Sequence, residues 1–165
     1  MAFEYRYSTR QTTRVNGQTR TRTVVHPYSV VAVGTGASFP PLRVTPEGMV
    51  GRLIGRITDS DIELESEDFN RMFTVSSPDR KFASDVLPPR MMQLLMRWPD
   101  LGWQLQAAYL IVFHGGSHSE AEVEAKLPVI DAIVDGIPDF VWRAVLGQVP
   151  PAQPRHDPAP PPDPV

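Results

Sequence analysis

IELESEDFNRMFTVSSPDRKFASDVLPPRMMQLLMRW, residues 62–98, is the stretch on which the fold turns. Ile62 and Leu64 alternate with Glu63 and Glu65, the period of a strand with one wet face. Ser66–Arg71 is polar and reads as a turn, and Met72–Ser76 reads as the returning strand. Ser77-Pro78-Asp79 then offers an N-cap hydroxyl, a proline at the first helical position and an acid for the first turn. The helix through Phe82, Ala83 and Val86 must stop at Leu87-Pro88-Pro89, because a residue before proline is driven from the helical region. Pro89 opens a second helix, whose Met91, Met92, Leu94, Leu95 and Trp98 form an apolar face. Local strand pairing followed by helices points to an α+β domain.

Upstream, Phe3, Tyr5 and Tyr7 alternate with Glu4, Arg6 and Ser8 as in a half-buried strand. Asn16-Gly17 is a type I′ hairpin signal, since that turn needs positive φ at both central residues. A two-residue loop there sets Phe3 opposite Val30, Tyr5 opposite Tyr28 and Tyr7 opposite His26, all on one face. From Thr9 to Thr23 both faces are polar, so this part is expected to project as a solvated ribbon. Tyr28–Val33 continues as strand and is read as ending in a loop at Gly34-Thr35-Gly36. No helix follows that glycine pair, which argues against a phosphate cradle. Leu42–Val44 reads as a short strand. Thr45-Pro46-Glu47 reads as a helix start, with Met49, Val50, Leu53 and Ile54 as its stripe and Gly48, Gly51 and Gly55 weakening it.

Downstream, Asp59-Ser60-Asp61 and Trp98–Gly102 read as turns. Trp103–Gln106 and Tyr109–Phe113 read as two strands of a hairpin turning at Ala107-Ala108. Ser119 with Glu122 fits a capping box, and the helix it opens carries Val123, Leu127, Ile130, Ile133 and Val134. Pro128 inside that helix predicts a kink or a delayed start, and Gly136 suits a left-handed cap. Ile137–Leu146 starts a last helical segment. The expectation is one α+β domain, residues 1–147, with a long N-terminal hairpin over 3–33. It comprises an antiparallel sheet of five to seven strands with three or four helices packed on one side. Residues 148–165 hold eight of the 18 prolines and read as a disordered, partly polyproline II tail, with an aromatic-groove partner as the functional alternative to an inert one.

The composition narrows the chemistry. The chain has 165 residues, 41% hydrophobic and 21% charged, and no cysteine, which excludes disulfides, thiolate zinc sites and cysteine nucleophiles. No apolar run approaches the ~20 residues of a membrane helix, and MAFEYRYSTR has no signal-peptide core. A cytoplasmic chain is expected, with the inner membrane face as its alternative setting. Net charge is −3, but unevenly placed. Residues 1–26 carry Arg6, Arg10, Arg14, Arg20 and Arg22 against Glu4 alone, whereas residues 27–148 carry ten basic and sixteen acidic side chains. A basic arm on an acidic body suits an anionic partner or pairing with that body.

Three groups are candidates for function. Asp59, Asp61, Glu63, Glu65, Glu67 and Asp68 form an acidic group in which Glu63 and Glu65 share a strand face. They could act as paired carboxylates or hold a hard cation, or form a solvated face partly paired with Arg71. No EF-hand spacing is present, and Asn70 and Arg71 suit loop-holding hydrogen bonds. His114 and His118 have the i, i+4 spacing of a helical zinc pair, but Gly115-Gly116 between them favours a loop. Ser117 and Ser119 lack a nucleophile elbow. Arg10, Arg14, Arg20 and Arg22 on the hairpin could meet a partner surface or track phosphates, or serve to keep a strand edge soluble. The sequence isoelectric point of about 5.8 counts against general nucleic-acid binding. The methionines and tryptophans fall at core periodicity, and no cofactor or metal is expected.

Asp61–Ser66, Phe69-Asn70-Arg71, Phe73-Thr74-Val75 and Asp79-Arg80 together resemble an uncharacterised bacterial family. So do Leu87–Met92 and Asp135-Gly136-Ile137-Pro138 with Phe140 and Trp142. The family is classed as a domain of unknown function and is frequent in actinobacterial membrane proteins, where the domain usually follows membrane-spanning helices. The resemblance runs from about Phe3 to Leu146 and is densest from Glu63 to Val75. It implies a shared α+β domain and no activity. This chain lacks the membrane helices, so it reads as a soluble variant or an excised domain. The function expected is a non-catalytic protein-binding or adaptor module, with a membrane-protein complex as one setting. A hydrolase or metal-dependent enzyme using Glu63/Glu65 or His114/His118 is the alternative, and nucleic-acid binding through the hairpin a third.

Overall fold

The computed structural model describes residues 1–15, 18–49, 62–116 and 118–147. Its architecture is α+β, with an antiparallel sheet and helices as expected. The strands are β1 (Ala2–Val15), β2 (Gln18–Pro46), β3 (Phe73–Ser76) and β4 (Leu101–Gly115). The helices are α1 (Glu67–Met72), α2 (Arg80–Val86), α3 (Pro89–Leu95), α4 (Glu120–Gly136) and α5 (Asp139–Leu146), with a 3-10 turn at Glu47–Met49. β2 is the spine. β1 pairs with it in the register Phe3–Val30, Tyr5–Tyr28 and Val15–Gln18, as a two-residue loop requires; the loop itself lies outside the described residues. β4 pairs with β2 from Tyr28–Gly115 to Val44–Trp103, and β3 joins further along, from Arg43–Ser76 to Pro46–Phe73.

β4 is one continuous strand, not the hairpin expected at Ala107-Ala108. Likewise the expected loop at Gly34-Thr35-Gly36 is an irregularity inside β2. The pairing jumps from Gly34–Tyr109 to Phe39–Ala107, so β2 carries extra residues, while Ala107 takes a positive φ of 51° and Gly36 one of 73°. The bulge reverses side-chain parity. Trp103 and Leu105 are buried before it, Leu110 and Val112 after it. In sequence that change of phase looks like a turn, and in space it bends a strand. Both β2 and β4 continue through the bulge as single strands. The bend brings the ends of β4 together, and a Cβ on Gly102 would lie 2.0 Å from the Phe113 ring.

The main core joins Val31, Phe39, Leu42, Val44, Trp103, Leu105, Leu110 and Val112 of the sheet to apolar faces of all five helices. Phe39 meets Trp142 of α5 edge-on at 5.0 Å, which seats that helix on the bulge. A smaller cluster of Tyr28, Val30 and Phe113 occupies the other side of β2 and β4. Each large side chain so buried contributes roughly 1.5–3 kcal/mol.

Several local readings change. Ile62–Glu65 is not a ladder strand, although its burial alternates as expected, and Ile62 N–H donates to the Val75 carbonyl at 2.8 Å. Ser66–Arg71 is not a turn. Ser66 caps α1 by accepting from Phe69 N–H, and Phe69 is wholly buried. Asp79, not Ser77, caps α2. Ser77 is buried and donates to the Pro41 carbonyl at 2.7 Å, and this tertiary bond outcompetes the capping role. Thr45 and Pro46 end β2 instead of opening a helix, because β3 pairs with them. α3 stops at Leu95. α4 starts at Glu120 with no delay and runs through Pro128. Gly136 is not a left-handed cap; a Cβ there would lie 2.6 Å from Met91 Cε, so glycine serves the close approach of α3 and α4. The expected helix over Val50–Ile54, the turn at Asp59–Asp61 and the tail at 148–165 lie outside the described residues.

Candidate functional site

The densest polar constellation lies where the β1–β2 hairpin leaves the body. Ser29 sits on β2 between Tyr28 and Val30, so it faces the opposite side, towards α4. It is 0% exposed, and Lys126 of α4 is 2% exposed. Lys126 Nζ donates to Ser29 Oγ at 3.0 Å, to the Glu122 carbonyl at 2.9 Å and to the Glu122 carboxylate at 3.4 Å. The ammonium's three protons therefore have three acceptors, the condition for burying such a charge. Ser29 Oγ also lies 2.9 Å from His118 Nδ1. Either atom can be the donor of that bond, since the serine oxygen has two lone pairs and can accept from the lysine and the imidazole together.

His118 ties this group to β1, since its backbone N–H donates to Glu4 Oε2 at 3.1 Å. That bond, and then the Arg6 guanidinium paired with the carboxylate, hold the Glu4 carboxyl below its ordinary range. Glu4, Ser29, His118 and Lys126 thus come from β1, β2, a loop and α4 to one point. Serine with lysine and histidine is the residue set of an activated nucleophile, but a hydroxyl with no exposed surface cannot meet a substrate carbonyl in this conformation. What the arrangement does is lock α4 to the root of the hairpin.

The expected zinc pair is divided between two partners. His118 goes to Ser29, while His114 Nδ1 lies 3.8 Å from Glu122 Oε2 and makes no hydrogen bond. Gly116 between them has a φ of 133°, a backbone that breaks helical spacing. Among the described residues no three His, Asp or Glu side chains gather as metal ligands. His114, Glu122 and Lys126 do line a cavity of about 390 Å³ with Arg97, Trp98 and Asp100.

In the acidic group, Glu63 and Glu65 are exposed at the rim of a 330 Å³ cleft with Arg80, Pro88 and Pro89. Asn70 holds this segment as expected. Its Oδ1 accepts from Leu64 N–H at 3.1 Å and its Nδ2 donates to the Leu64 carbonyl at 2.7 Å, a side chain imitating a neighbouring strand. Arg71 pairs with Glu67 at 3.2 Å and with Asp68 at 3.5 Å. Asp59 and Asp61 lie outside the described residues.

The arginines stand apart from both groups. β4 pairing stops at Tyr28, yet β1 and β2 stay paired from Arg6–Pro27 to Val15–Gln18. At about 3.3 Å per residue the ten residues of each strand make this two-stranded ribbon about 33 Å long. Arg10, Arg14, Arg20 and Arg22 are all exposed along it. The register sets Arg20 and Arg22 on the face of Phe3 and Tyr5, and Arg10 and Arg14 on the other.

Sequence reasoning passed over Ser29 and Lys126. The signal was there, because Lys126 falls at i+3 from Val123 and i−4 from Ile130, inside the apolar stripe of α4. A lysine at a core position needs buried acceptors. Comparison with protein-family models, with curated proteins and with solved structures found no match. No helix of the described residues is long and apolar enough to cross a membrane.

Proposed function

We propose that this chain is a non-catalytic protein-binding module whose projecting hairpin is the contact element. One observation carries the reading: a ribbon with ten cross-strand pairs, Arg6–Pro27 to Val15–Gln18, extends beyond the strand that covers β2, with five arginines exposed on it, of which Arg6 is paired with Glu4. A two-stranded ribbon is marginal by itself, so its length suits an element completed by a partner. The locked Ser29–Lys126–His118 group supports the same reading, since it orients the ribbon's root while offering no exposed nucleophile. The family resemblance adds a setting, a protein complex at the membrane face.

The test replaces Arg6–Pro27 by an Asn-Gly turn joining Tyr5 to Tyr28, with unchanged far-ultraviolet circular dichroism as the folding control. Proteins cross-linked to the full chain are identified, purified and retested against both forms. Binding that requires the ribbon supports the proposal; equal binding by both forms, or none by either, overturns it. Retention on a polyanion that falls steeply with salt and vanishes with Arg20→Ala and Arg22→Ala would favour nucleic acid instead. Turnover of an ester or phosphoester that Ser29→Ala or Glu63→Gln abolishes would overturn the non-catalytic reading.

A further inference from the structure

The ribbon's cations have a counterpart on the same chain. Glu120, Glu124, Asp131 and Asp135 of α4 are all exposed. At 3.6 residues per turn they fall, together with Leu127, within about 80° of arc. Leu127 is 47% exposed, an apolar side chain in the middle of an acidic stripe. The fifth acid of α4, Glu122, is the one already paired with Lys126. Among the described residues none of the four stripe acids and none of Arg10, Arg14, Arg20 and Arg22 takes part in an ion pair. Arg6–Pro27 carries five arginines and no acid. Two unsatisfied rows of opposite sign therefore coexist on one molecule.

Their spacings agree. Arg20 and Arg22 lie on one ribbon face two residues apart, about 7 Å along a strand. Glu120 and Glu124, like Asp131 and Asp135, are one helical turn apart, about 6 Å. The acidic stripe from Glu120 to Asp135 spans about 22 Å, within the ~33 Å reach of the ribbon. Leu127 would then lie against the threonine methyls and Val24 of the ribbon, adding apolar contact to the charge pairing.

We infer that the partner of the ribbon is a second copy of this chain, with each ribbon laid along the acidic face of the other copy's α4. This rests on the binding-module reading above and names its partner. A two-fold arrangement sets Arg20 and Arg22 of each ribbon against the acidic stripe of the other copy and closes on itself. The four charge pairs would be exposed and hence salt-sensitive.

The experiment is sedimentation velocity with the full chain at low and high salt, using two charge-reversed variants. One carries Arg20→Glu and Arg22→Glu, the other Glu124→Arg and Asp131→Arg. The wild type should sediment at twice 18.4 kDa at low salt and dissociate at least about tenfold more readily near 0.5 M salt. Each variant alone should be monomeric. Mixed in equal amounts they should form a dimer, because each ribbon then meets an α4 of opposite charge. A monomeric wild type at about 0.2 mM, a dimer indifferent to either reversal, or a mixture that stays monomeric overturns the inference. The ribbon-deletion test separates the two proposals, since a monomeric chain that still binds another protein through its ribbon refutes only self-association.

Discussion

Replacing Ser29 by alanine removes one of three acceptors from an ammonium that is 2% exposed. A hydrogen bond to a charged group contributes about 1.5–3 kcal/mol, and an unsatisfied buried donor costs at least as much. Ser29→Ala should therefore destabilise the fold by about 2 kcal/mol, which is close to a 1 M drop in urea midpoint for an ordinary slope. Lys126→Met keeps the aliphatic stem and deletes the charge together with its desolvation cost. Its former partners are not stranded, because the Glu122 side chain is 43% exposed and Ser29 retains His118. That change should cost under about 1.5 kcal/mol. In the Lys126→Met background Ser29→Ala no longer orphans the ammonium and should cost only the part-buried bond to His118, about 0.5 kcal/mol. The double-mutant cycle by urea unfolding thus predicts a coupling near 1.5 kcal/mol. Equal costs of Ser29→Ala in both backgrounds would refute the reasoning, and the cluster would then be adjacency without energy.

Gly102→Ala sets a methyl 2.0 Å from Phe113 Cε2 and 2.4 Å from Cζ, so it should cost about 3 kcal/mol by overpacking. Phe113→Leu should relieve at least about 1 kcal/mol of that, and thermal melts showing additive losses would refute the contact. Ala107→Gly relaxes a left-handed alanine and should leave the melting temperature unchanged or raise it by up to about 2 °C, despite the glycine entropy penalty. A fall of several degrees would argue against the bulge. Glu4 is held below its ordinary value of 4.5 by the His118 N–H and then by Arg6. A lowered folded pKa stabilises above the unfolded value and is lost as pH falls through the folded one. Wild type should therefore lose more stability on acidification through and below pH 4.5 than Glu4→Gln does, and parallel pH profiles would contradict this.

The hairpin register was legible because Asn16-Gly17 and the Phe3-Tyr5-Tyr7 alternation are local signals that agree. Helices α2, α3, α4 and α5 were legible from capping residues and apolar spacing. The long strands were not. Gly34–Phe39 and Ala107 change the phase of the alternation, and a one-dimensional pattern cannot separate a bulge from a turn when the partner strand lies some seventy residues away. α1 was missed because a six-residue helix has too few positions to show a period. The polar cluster was half visible. His118 stood out, whereas Ser29 and Lys126 became partners only when β2 and α4, 97 residues apart, were packed together.

β2 has one further consequence. The strand that forms half of the ribbon is the same strand that carries the core, unbroken from Gln18 to Pro46. With Lys126 and His118 bracing its root, the ribbon is a lever without a joint. A tilt of 10° at Ser29 would sweep the tip through about 6 Å over ~33 Å of strand. Small changes in how α4 seats on Ser29 are therefore magnified where the arginines stand.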